Sequence, residues 1–489
     1  MKDLFHPSVW FLISHGLILP ALCIRVIMRR PATGVALSWL FLIAALPGLG
    51  AIAYLLIGEK RIGKERIRRL ALLKESFIEL SKVLEDRGLT NVDWGRHPEE
   101  AQGMDRMGRL LVGLPTVCGA EGHLYGNTEE ILTHIAADVK GASRSVLMEF
   151  YIWNEGGLAD DVLNAVVSAA GRGVTCRLLI DALGASPWWK GEQPQRLRDA
   201  GVSVRKALPT GAVRLLFGRN DVRLHRKIVI IDDGIAWTGS MNLVDPHFFK
   251  QDAHVGEWVD AMVRMEGSAV APLALTMIGD WNLETGESVI DVAKDAGFHQ
   301  VDRAGEGDGD VQIVPSGPGQ TGDGLLQMLL SAVNSAREEL ILTTPYFVPD
   351  DSLLRAIRGA GARGVKVSMV VPEKVDSLLT RYASRSFYDE LMECGVKIYL
   401  YKKGLLHTKS ICADRRISMF GTVNLDMRSI WINYEVASFI YGREFGEELH
   451  TLQQSYIDDS ELLDTGKWGR RSNFQKFLED FFRLSSPLL

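Results

Sequence analysis

The chain has 489 residues, of which 46% are hydrophobic and 24% are charged. This length exceeds what one hydrophobic core usually fills, and the composition excludes a disordered or fibrous chain. The net charge of −6 is unevenly distributed, because residues 1–90 alone carry +6. An acidic protein is not built to coat nucleic acid, whereas a basic N-terminal region suits a position close to a membrane. The five cysteines are scattered without a C-x-x-C pair, which indicates a reducing compartment.

Two apolar stretches, residues 9–23 and 35–57, predict a two-helix transmembrane hairpin over residues 1–58. The second stretch has 23 residues without a charge, enough to span an apolar core of about 30 Å. A cleaved signal peptide is the alternative for the first stretch, but Arg29 and Arg30 stand where cleavage would be expected. The basic cluster after the second stretch favours a body that faces the cytoplasm, although three arginines in the short loop oppose this orientation.

The rest of the chain alternates strand-like apolar runs with helical patterns, which predicts an α/β body. The order of these elements is the same in both halves, and an Arg-Gly-Val sequence follows the equivalent helix at Arg172 and at Arg363. Such internal similarity indicates a duplicated α/β unit. The expected boundaries are 59–115 for a basic juxtamembrane helical region, 116–303 for the first domain, 304–320 for a linker rich in Gly, Asp and Pro, and 321–489 for the second domain.

One pattern of polar residues, H-x-K-x4-D-x6-G-[ST]-x-N, occurs once in each half. An isolated H-x-K carries almost no information, but six positions repeated in register with an independent duplication are a strong signal. The first copy consists of His225, Lys227, Asp232, Gly239, Ser240 and Asn242, and the second of His407, Lys409, Asp414, Gly421, Thr422 and Asn424.

The histidine and lysine of each copy lie two positions apart on a strand-like run, so their side chains share one face. An imidazole beside an ammonium group is suited to attack a phosphorus atom while its oxygens are held. Asp232 and Asp414 are candidate catalytic groups, although the Asp-Asp-Gly sequence at Asp232 predicts that this carboxylate closes a turn. Each imidazole needs a group that fixes its tautomer, and Asp260 and Glu435 are the candidates.

Brought together, the two copies would form one site with two histidines and two lysines. One imidazole can be the nucleophile that forms a phosphohistidine, and the other can act as general acid and base. The candidate substrate-binding residues are Ser240, Asn242, Thr422 and Asn424. No cluster of Asp, Glu, His or Cys in the sequence has the spacing of a zinc or magnesium site, so the chemistry is expected to need neither a metal nor another cofactor.

The C-terminal sequence from Asn473 places five apolar residues on one helical stripe: Phe474, Phe477, Leu478, Phe481 and Phe482. Packing against the core is the favoured interpretation, and contact with a membrane is the alternative.

The two H-x-K-x4-D motifs resemble those of the phospholipase D superfamily. Longer stretches are similar to one branch of it, the bacterial cardiolipin synthases with an N-terminal membrane hairpin, and the similarity covers essentially the whole chain. It implies two phospholipase D-like α/β sandwich domains behind a hairpin, in a multi-pass protein of the bacterial inner membrane. It also implies transfer of a phosphatidyl group from one phosphatidylglycerol to another, which gives cardiolipin and glycerol. The similar stretches are 238–253, 343–354, 405–410 and 421–435.

By analogy with the superfamily, His225 would be the nucleophile and His407 the acid and base, but the sequence itself does not break this symmetry. The expected partners are phosphatidylglycerol and membrane lipids, without nucleic acid, and the oligomeric state stays open. A hydrolytic phospholipase D uses the same residues and differs only in accepting water. A phosphodiesterase that acts on nucleic acid is a weaker hypothesis, and a lipid-binding protein with a decayed site is the weakest.

Overall fold

The computed structural model describes residues 16, 19–29, 33–58, 63–209, 221–298, 307, 309–319 and 323–484. The chain divides into two compact units. One consists of Met1–Glu65 with Thr210–Asp221, and the other of Arg66–Pro209 with Val222–Leu489.

The first unit contains short apolar helices, α1 (Leu19–Met28), α2 (Thr33–Ala45) and α3 (Pro47–Ala53), followed by a π-helical turn, Tyr54–Gly58. The second predicted span, residues 35–57, is divided at Pro47, which begins a new helix because its ring nitrogen carries no hydrogen to donate. The first predicted span lies largely outside the described residues. Across the described part of the chain, no single helix combines the length and apolar character needed to cross a bilayer. The hairpin therefore stays a prediction.

In its described residues, the second unit contains nineteen strands and most of the helices. The strands are β1 (Val117–Tyr125), β2 (Ser145–Phe150), β3 (Thr175–Asp181), β4 (Ser203–Ala207), β5 (Ile228–Ile231), β6 (Ile235–Gly239), β7 (Trp258–Val259), β8 (Met262–Gly267), β9 (Gly309–Ser316), β10 (Glu339–Thr343), β11 (Phe347–Val348), β12 (Lys366–Pro372), β13 (Lys397–Tyr401), β14 (Leu405–Leu406), β15 (Ser410–Ala413), β16 (Ile417–Gly421), β17 (Leu425–Asp426), β18 (Glu435–Tyr441) and β19 (Ser460–Leu462). The helices are α4 (Lys64–Asp86), α5 (Glu99–Leu111), α6 (Thr128–Gly141), α7 (Leu158–Gly171), α8 (Gln193–Asp199), α9 (Val270–Thr285), α10 (Val289–Asp295), α11 (Gly324–Ser335), α12 (Asp351–Ala362), α13 (Leu378–Arg385), α14 (Tyr388–Met392), α15 (Met427–Trp431), α16 (Arg443–Asp458), α17 (Thr465–Gly469) and α18 (Asn473–Arg483).

Fifteen strands form one sheet in the order β19-β13-β12-β10-β15-β16-β18-β9-β1-β8-β6-β5-β2-β3-β4. From the central pair β9–β1 outward, both halves repeat the same strand order, and β19 is added at one edge. Strands β2 and β3 are parallel and joined by α7, as β10 and β12 are by α12. Each connecting helix is followed by a glycine with φ near +90°, at Gly173 and Gly364, a backbone conformation that other residues adopt only with strain. The predicted α/β class and the internal duplication are confirmed.

The predicted linker, residues 304–320, contains the central strand β9. Its middle residues Val311, Ile313 and Val314 are buried, and β9 pairs with β18 along nearly its whole length. The Gly, Asp and Pro residues that suggested a linker lie on both sides of this apolar run. Their presence makes the run hard to recognise as a strand from the sequence. The linker assignment is therefore corrected: residues Gly309–Ser316 belong to the second half of the sheet.

The predicted basic region, residues 59–115, folds in its described part mainly as α4 and α5. One face of α4 is buried, where Leu73 and Phe77 form a cluster with Leu114. Near the N-terminus of α4, the Arg66 guanidinium lies 2.6 Å from the Glu284 carboxylate on α9. Helix α4 is therefore packed onto the α/β body along this face.

Candidate active site

Each histidine of the repeated motif is placed by a backbone contact with the other half of the chain. Leu224 forms a parallel bridge with Tyr434, and the His225 amide donates to the Tyr434 carbonyl at 2.9 Å. Strand β14, which ends one residue before His407, pairs in parallel with β7, and the His407 amide donates to the Val259 carbonyl at 2.8 Å. The two bridges are equivalent and bring the halves together at the motif. In each bridge, the histidine follows one of the paired residues and lies beside the residue that follows the other.

The residues placed there are the two predicted orienting carboxylates, and each serves the histidine of the opposite half. His225 Nδ1 lies 2.9 Å from the Glu435 carboxylate, and His407 Nδ1 lies 2.7 Å from Asp260 Oδ1. All four side chains are almost fully buried. Burial alone would raise the pKa of Asp260 and of Glu435, but the histidines and lysines beside them hold both pKa values below their usual range. Because an ionised carboxylate only accepts hydrogen bonds, each Nδ1 carries the proton and each Nε2 is left with its lone pair.

Ser240 and Thr422 support these carboxylates, although the sequence suggested that they bind substrate. Ser240 Oγ donates to Asp260 Oδ1 at 2.6 Å, and Thr422 Oγ1 donates to Glu435 Oε2 at 2.5 Å. Both hydroxyl-bearing residues are fully buried. Their hydrogen bonds are spent on the carboxylates and on the neighbouring backbone, so the structure places them behind the histidines as positioning residues.

The two motif lysines lie in the same buried cluster. Lys227 Nζ donates to the carbonyl of His225 at 2.7 Å, and Lys409 Nζ donates to the carbonyl of His407 at 2.5 Å. Burial lowers the pKa of Lys227 to about 8 and that of Lys409 to about 7, against the opposing effect of the nearby carboxylates. Each ammonium group has three donors, so the bond to the carbonyl leaves two for an incoming anion.

Both imidazoles are held neutral at physiological pH. The pKa of His225 and of His407 is lowered to about 4 by burial and by the positive charges of Lys227 and Lys409, against the opposing effect of Glu435 and Asp260. Each lysine thus influences the histidine of the other half as well as its own. A phosphodiester anion between the four groups would supply negative charge and so favour the protonated forms.

Both motif asparagines are buried, two positions after Ser240 and after Thr422. Asn242 Oδ1 accepts a hydrogen bond from the Ile152 amide at 3.2 Å, which leaves its Nδ2 hydrogens as the donor group. The Oδ1 atom of Asn424 has no hydrogen-bond partner among the described residues. That these side chains bind substrate stays a prediction.

The structure does not bring Asp232 and Asp414 to the site. Asp232 accepts hydrogen bonds from the amides of residues 143–145 at 2.8–3.1 Å, and Asp414 accepts from the amides of residues 337–339 at 2.7–2.9 Å. Both sit in the turn that follows the motif strand, with φ of 54° and 51°. They hold that turn against the start of the neighbouring strand, which corrects their inclusion among the catalytic candidates.

A buried charged network lies directly behind the site. Arg226 is 1% exposed and forms an ion pair with Asp280, and its Nε donates to the Glu435 carbonyl at 2.9 Å. Glu149 faces the same pair, and burial raises its pKa well above the usual range, with a further increase from the Asp280 charge. Burial therefore favours the protonated form of the Glu149 carboxyl group.

The sequence did not point to the aromatic side chains around the histidines. The Tyr151 ring lies 5.2 Å from the His225 ring, and the Trp258 ring lies 4.3 Å from the His407 ring. Nearby, Tyr346 donates to Asp376 at 2.7 Å, and Lys250 pairs with the same carboxylate at 3.0 Å. Tyr151 and Tyr346 both follow a strand that leads into the site, β2 or β10, so comparing the strand ends of the two halves would have suggested them.

Two neutral imidazoles with free Nε2 atoms, beside two lysines, can attack a phosphodiester and protonate its leaving group. Within the described ranges, no group of three or more His, Cys, Asp or Glu residues is arranged to hold a metal ion. Together with the duplicated α/β sheet, this geometry defines the phospholipase D class of phosphodiester-processing enzymes. The phosphatidylserine synthase of Haemophilus influenzae shares the fold, with a TM-score of 0.59 over 79% of this chain and all of that chain at 15% identity.

Sequence comparisons narrow this class. The family model for the cardiolipin synthase PLD-like domain matches residues 135–256 and 329–456, and the phospholipase D-nuclease N-terminal model matches residues 17–59. The chain is similar to cardiolipin synthase A of Erwinia tasmaniensis, at 42% identity over the whole of both chains, and to that of Serratia proteamaculans, at 40% identity over 98% of both. The chain belongs to the cardiolipin synthase family, phosphatidyltransferases that act on membrane phospholipids.

Proposed function

We propose that the enzyme makes cardiolipin from two molecules of phosphatidylglycerol, through a phosphohistidine on His225 and with His407 as general acid and base. The observation that carries this proposal is the crossed pairing of His225 with Glu435 and of His407 with Asp260. This pairing gives both imidazoles the same protonation and makes each half depend on the other. A site of this kind supports two-step transfer through one pocket.

In the first step, His225 Nε2 attacks the phosphorus of the donor phosphatidylglycerol. A P–N bond forms and the bond from phosphorus to the headgroup glycerol oxygen breaks. His407 Nε2 gives a proton to that oxygen, and glycerol leaves. Since the pKa of His407 is about 4 without substrate, the donor's negative charge must raise it before His407 can act as an acid.

In the second step, a headgroup hydroxyl of the acceptor phosphatidylglycerol attacks the phosphohistidine. His407, now neutral, takes the proton from this hydroxyl, and the P–N bond breaks as the new P–O bond forms. Lys227 and Lys409 stabilise the additional negative charge on the phosphoryl oxygens in both steps, with Asn242 and Asn424 as further donors. The products are cardiolipin and free glycerol, so atoms and charges balance.

The test is the reaction of the purified full chain in vesicles with phosphatidylglycerol as the only substrate. Cardiolipin and glycerol are expected in equal amounts. Each of the variants His225→Ala and His407→Ala should abolish the formation of both products. A matched control is His134→Ala, which removes an exposed histidine on α6 outside the site. Phosphatidic acid in place of cardiolipin would show that water is the acceptor, and the hydrolytic reaction would then replace the transfer.

The assignment of the nucleophile is tested separately with phosphatidylglycerol labelled at its phosphorus. The reaction is quenched in base, in which phosphohistidine is stable, and the labelled histidine is mapped. We expect the label on His225, and a label on His407 in the wild-type enzyme would reverse the two roles.

We further propose that the protein is an integral, multi-pass protein of the bacterial inner membrane with the α/β body in the cytoplasm. The apolar sequence of residues 35–57 and the basic residues after it support this proposal. Protease treatment of right-side-out vesicles should leave the body intact, whereas inverted vesicles should lose it. Digestion in the opposite pattern would place the body outside.

A further inference from the structure

The C-terminal helix α18 is attached to the body by charged and aromatic contacts on its inner face. Glu479, only 2% exposed, lies 3.0 Å from Arg385 Nε and 2.7 Å from Arg471 Nη1. The two guanidinium groups stack on the Trp468 ring at 4.6 and 3.7 Å from its centre. Phe482 stacks on Tyr382 of α13 with ring centres 5.4 Å apart. These contacts fix how the helix is rotated about its own axis.

The opposite face of α18 is apolar and exposed. Phe474, Phe477 and Phe481 are 69%, 61% and 53% exposed, and Leu484 is 78% exposed. At positions i, i+3, i+7 and i+10 they form one narrow stripe along the helix. The favoured expectation of core packing is therefore wrong for Phe474, Phe477 and Phe481, because the inner face is occupied by Glu479 and its arginine partners, whereas Phe482 does pack against the core.

The neighbouring helix α13, which contacts α18 through the stacking of Tyr382 on Phe482, adds two exposed leucines: Leu378 and Leu379 are 68% and 46% exposed. We call these six exposed apolar residues together the aromatic face. An exposed apolar surface of this kind marks an interaction site in a folded protein. Exposed charged residues in the same two helices and in the segment before α18 include Arg381, Lys467, Arg470 and Asp480.

The aromatic face begins close to the active site. Helix α13 starts two residues after Asp376, whose carboxylate binds Tyr346 and Lys250. Val375 packs with Trp258 and Leu405, the residues that lead to Asp260 and His407. The path from the exposed leucines of α13 to the catalytic imidazole is therefore short.

We propose that the aromatic face inserts into the surface of the phospholipid membrane and holds the active-site entrance at the lipid. A membrane is the binding partner that the substrate implies for this face, because phospholipids must pass from a membrane into the active site beside Asp376. Phenylalanine and leucine on one helix face, with Arg381 and Arg470 beside them, suit the boundary between acyl chains and anionic headgroups. The proposal rests on the family's action on phospholipids and does not depend on which alcohol accepts the phosphatidyl group.

The direct test places a tryptophan on the face of the full-length protein in bilayers of phosphatidylcholine and phosphatidylglycerol. The additional emission of Phe477→Trp, relative to wild type, is compared in bilayers with and without brominated acyl chains. We expect brominated lipid to quench this emission at least about twofold. The matched control is Ile290→Trp, because Ile290 is 58% exposed on α10 and does not belong to the aromatic face, and its emission should not change.

Equal emission of Phe477→Trp with and without brominated lipid would overturn the proposal. A blue-shifted emission that depends on protein concentration but not on brominated lipid would also overturn it, since a second copy of the chain would then cover the face. Equal quenching at positions 477 and 290 would overturn it as well, because the signal would not be specific to this face.

Activity gives an independent readout. In mixed micelles, the double variant Phe477→Ser with Phe481→Ser should raise the KM for surface lipid several-fold and leave kcat within about twofold. Ile290→Ser should change neither. An unchanged KM in the double variant would contradict docking at this face. Absence of cardiolipin synthesis in wild type would refute the proposed function, while the quenching experiment would still decide the docking.

Discussion

His225 Nδ1 and the Glu435 carboxylate, 2.9 Å apart, come from different halves of the chain, and His407 and Asp260 repeat the same exchange. The exchange results from the bridges of Leu224 with Tyr434 and of Leu406 with Val259. Each half therefore supplies a histidine that it cannot orient and a carboxylate that it does not use itself. Several measurable properties follow from this arrangement and from the buried charges around it.

Glu435→Gln should reduce kcat by about 10³–10⁴-fold, because an amide in place of the carboxylate no longer selects the tautomer with the proton on Nδ1. Asp260→Asn is the matched change at the other histidine and should act similarly. Nitrogen-15 NMR of the histidine side chains should show an altered imidazole tautomer at His225 in Glu435→Gln and at His407 in Asp260→Asn. If Glu435→Gln instead alters the His407 ring and leaves the His225 ring unchanged, the crossed assignment is refuted.

Binding of a phosphodiester should be accompanied by proton uptake that increases from pH 6 to pH 8. The free enzyme holds Lys409 with a pKa of about 7, so this lysine is largely charged at pH 6 and largely neutral at pH 8. An anion in the site favours the charged form and raises the pKa. Titration calorimetry of a non-cleavable phosphonate analogue in buffers of different ionisation enthalpy measures the uptake. In Lys409→Met the uptake at pH 8 should fall, and an unchanged value would show that Lys409 is not the group that titrates.

Asp232→Asn should cost about 1–3 kcal/mol of unfolding free energy and leave kcat within a few-fold of wild type. The carboxylate accepts from Ser143, Arg144 and Ser145, and these hydrogen bonds hold its pKa below the usual range even though burial opposes this effect. Asp414→Asn tests the equivalent turn of the second half. Denaturant unfolding and initial rates on the same samples give both quantities. A large loss of kcat at unchanged stability would instead show that these residues take part in catalysis.

Glu149→Gln should stabilise the protein increasingly as the pH rises from 5 to 8. In the folded state Glu149 keeps its proton because burial and Asp280 raise its pKa, whereas in the unfolded chain it ionises near pH 4.5. The folded state thus binds more protons than the unfolded state, so wild-type stability falls with rising pH, at up to about 1.4 kcal/mol per pH unit. Glutamine removes this dependence because its amide does not ionise. Equal stability of the two proteins at pH 5 and at pH 8 would show that Glu149 is ionised when folded.

The duplicated fold could be predicted from the sequence because two independent signals agreed. The alternation of strands and helices repeats, and the spacing from His225 to Asn242 equals that from His407 to Asn424. The histidine and lysine of each motif are only two positions apart, directly before β5 in the first half and between β14 and β15 in the second. The convergence of histidine and lysine in each half therefore needed no knowledge of tertiary structure.

The crossing of the carboxylates could not be predicted, since it depends on backbone pairing between segments about 150–210 residues apart. The loop from Asn242 to Asp260 is seven residues longer than the loop from Asn424 to Glu435. The additional length holds two 3₁₀ turns, Pro246–Phe248 and Gln251–Ala253, whereas the shorter loop contains α15. Strand β9 could not be recognised because glycine and proline flank it in the sequence. The rotation of α18 about its axis could not be predicted either, because it depends on the buried ion pairs of Glu479 with Arg385 and Arg471.

The exchanged carboxylates also bear on how such a chain could arise. A single half, made as a separate polypeptide, could orient its histidine only by associating with a second copy related by twofold symmetry. Gene fusion of two such copies turns association into an intramolecular event at high effective concentration, so the site no longer depends on the amount of protein in the cell. Once fused, the two halves are free to diverge, and the two histidines have different aromatic neighbours, Tyr151 beside His225 and Trp258 beside His407.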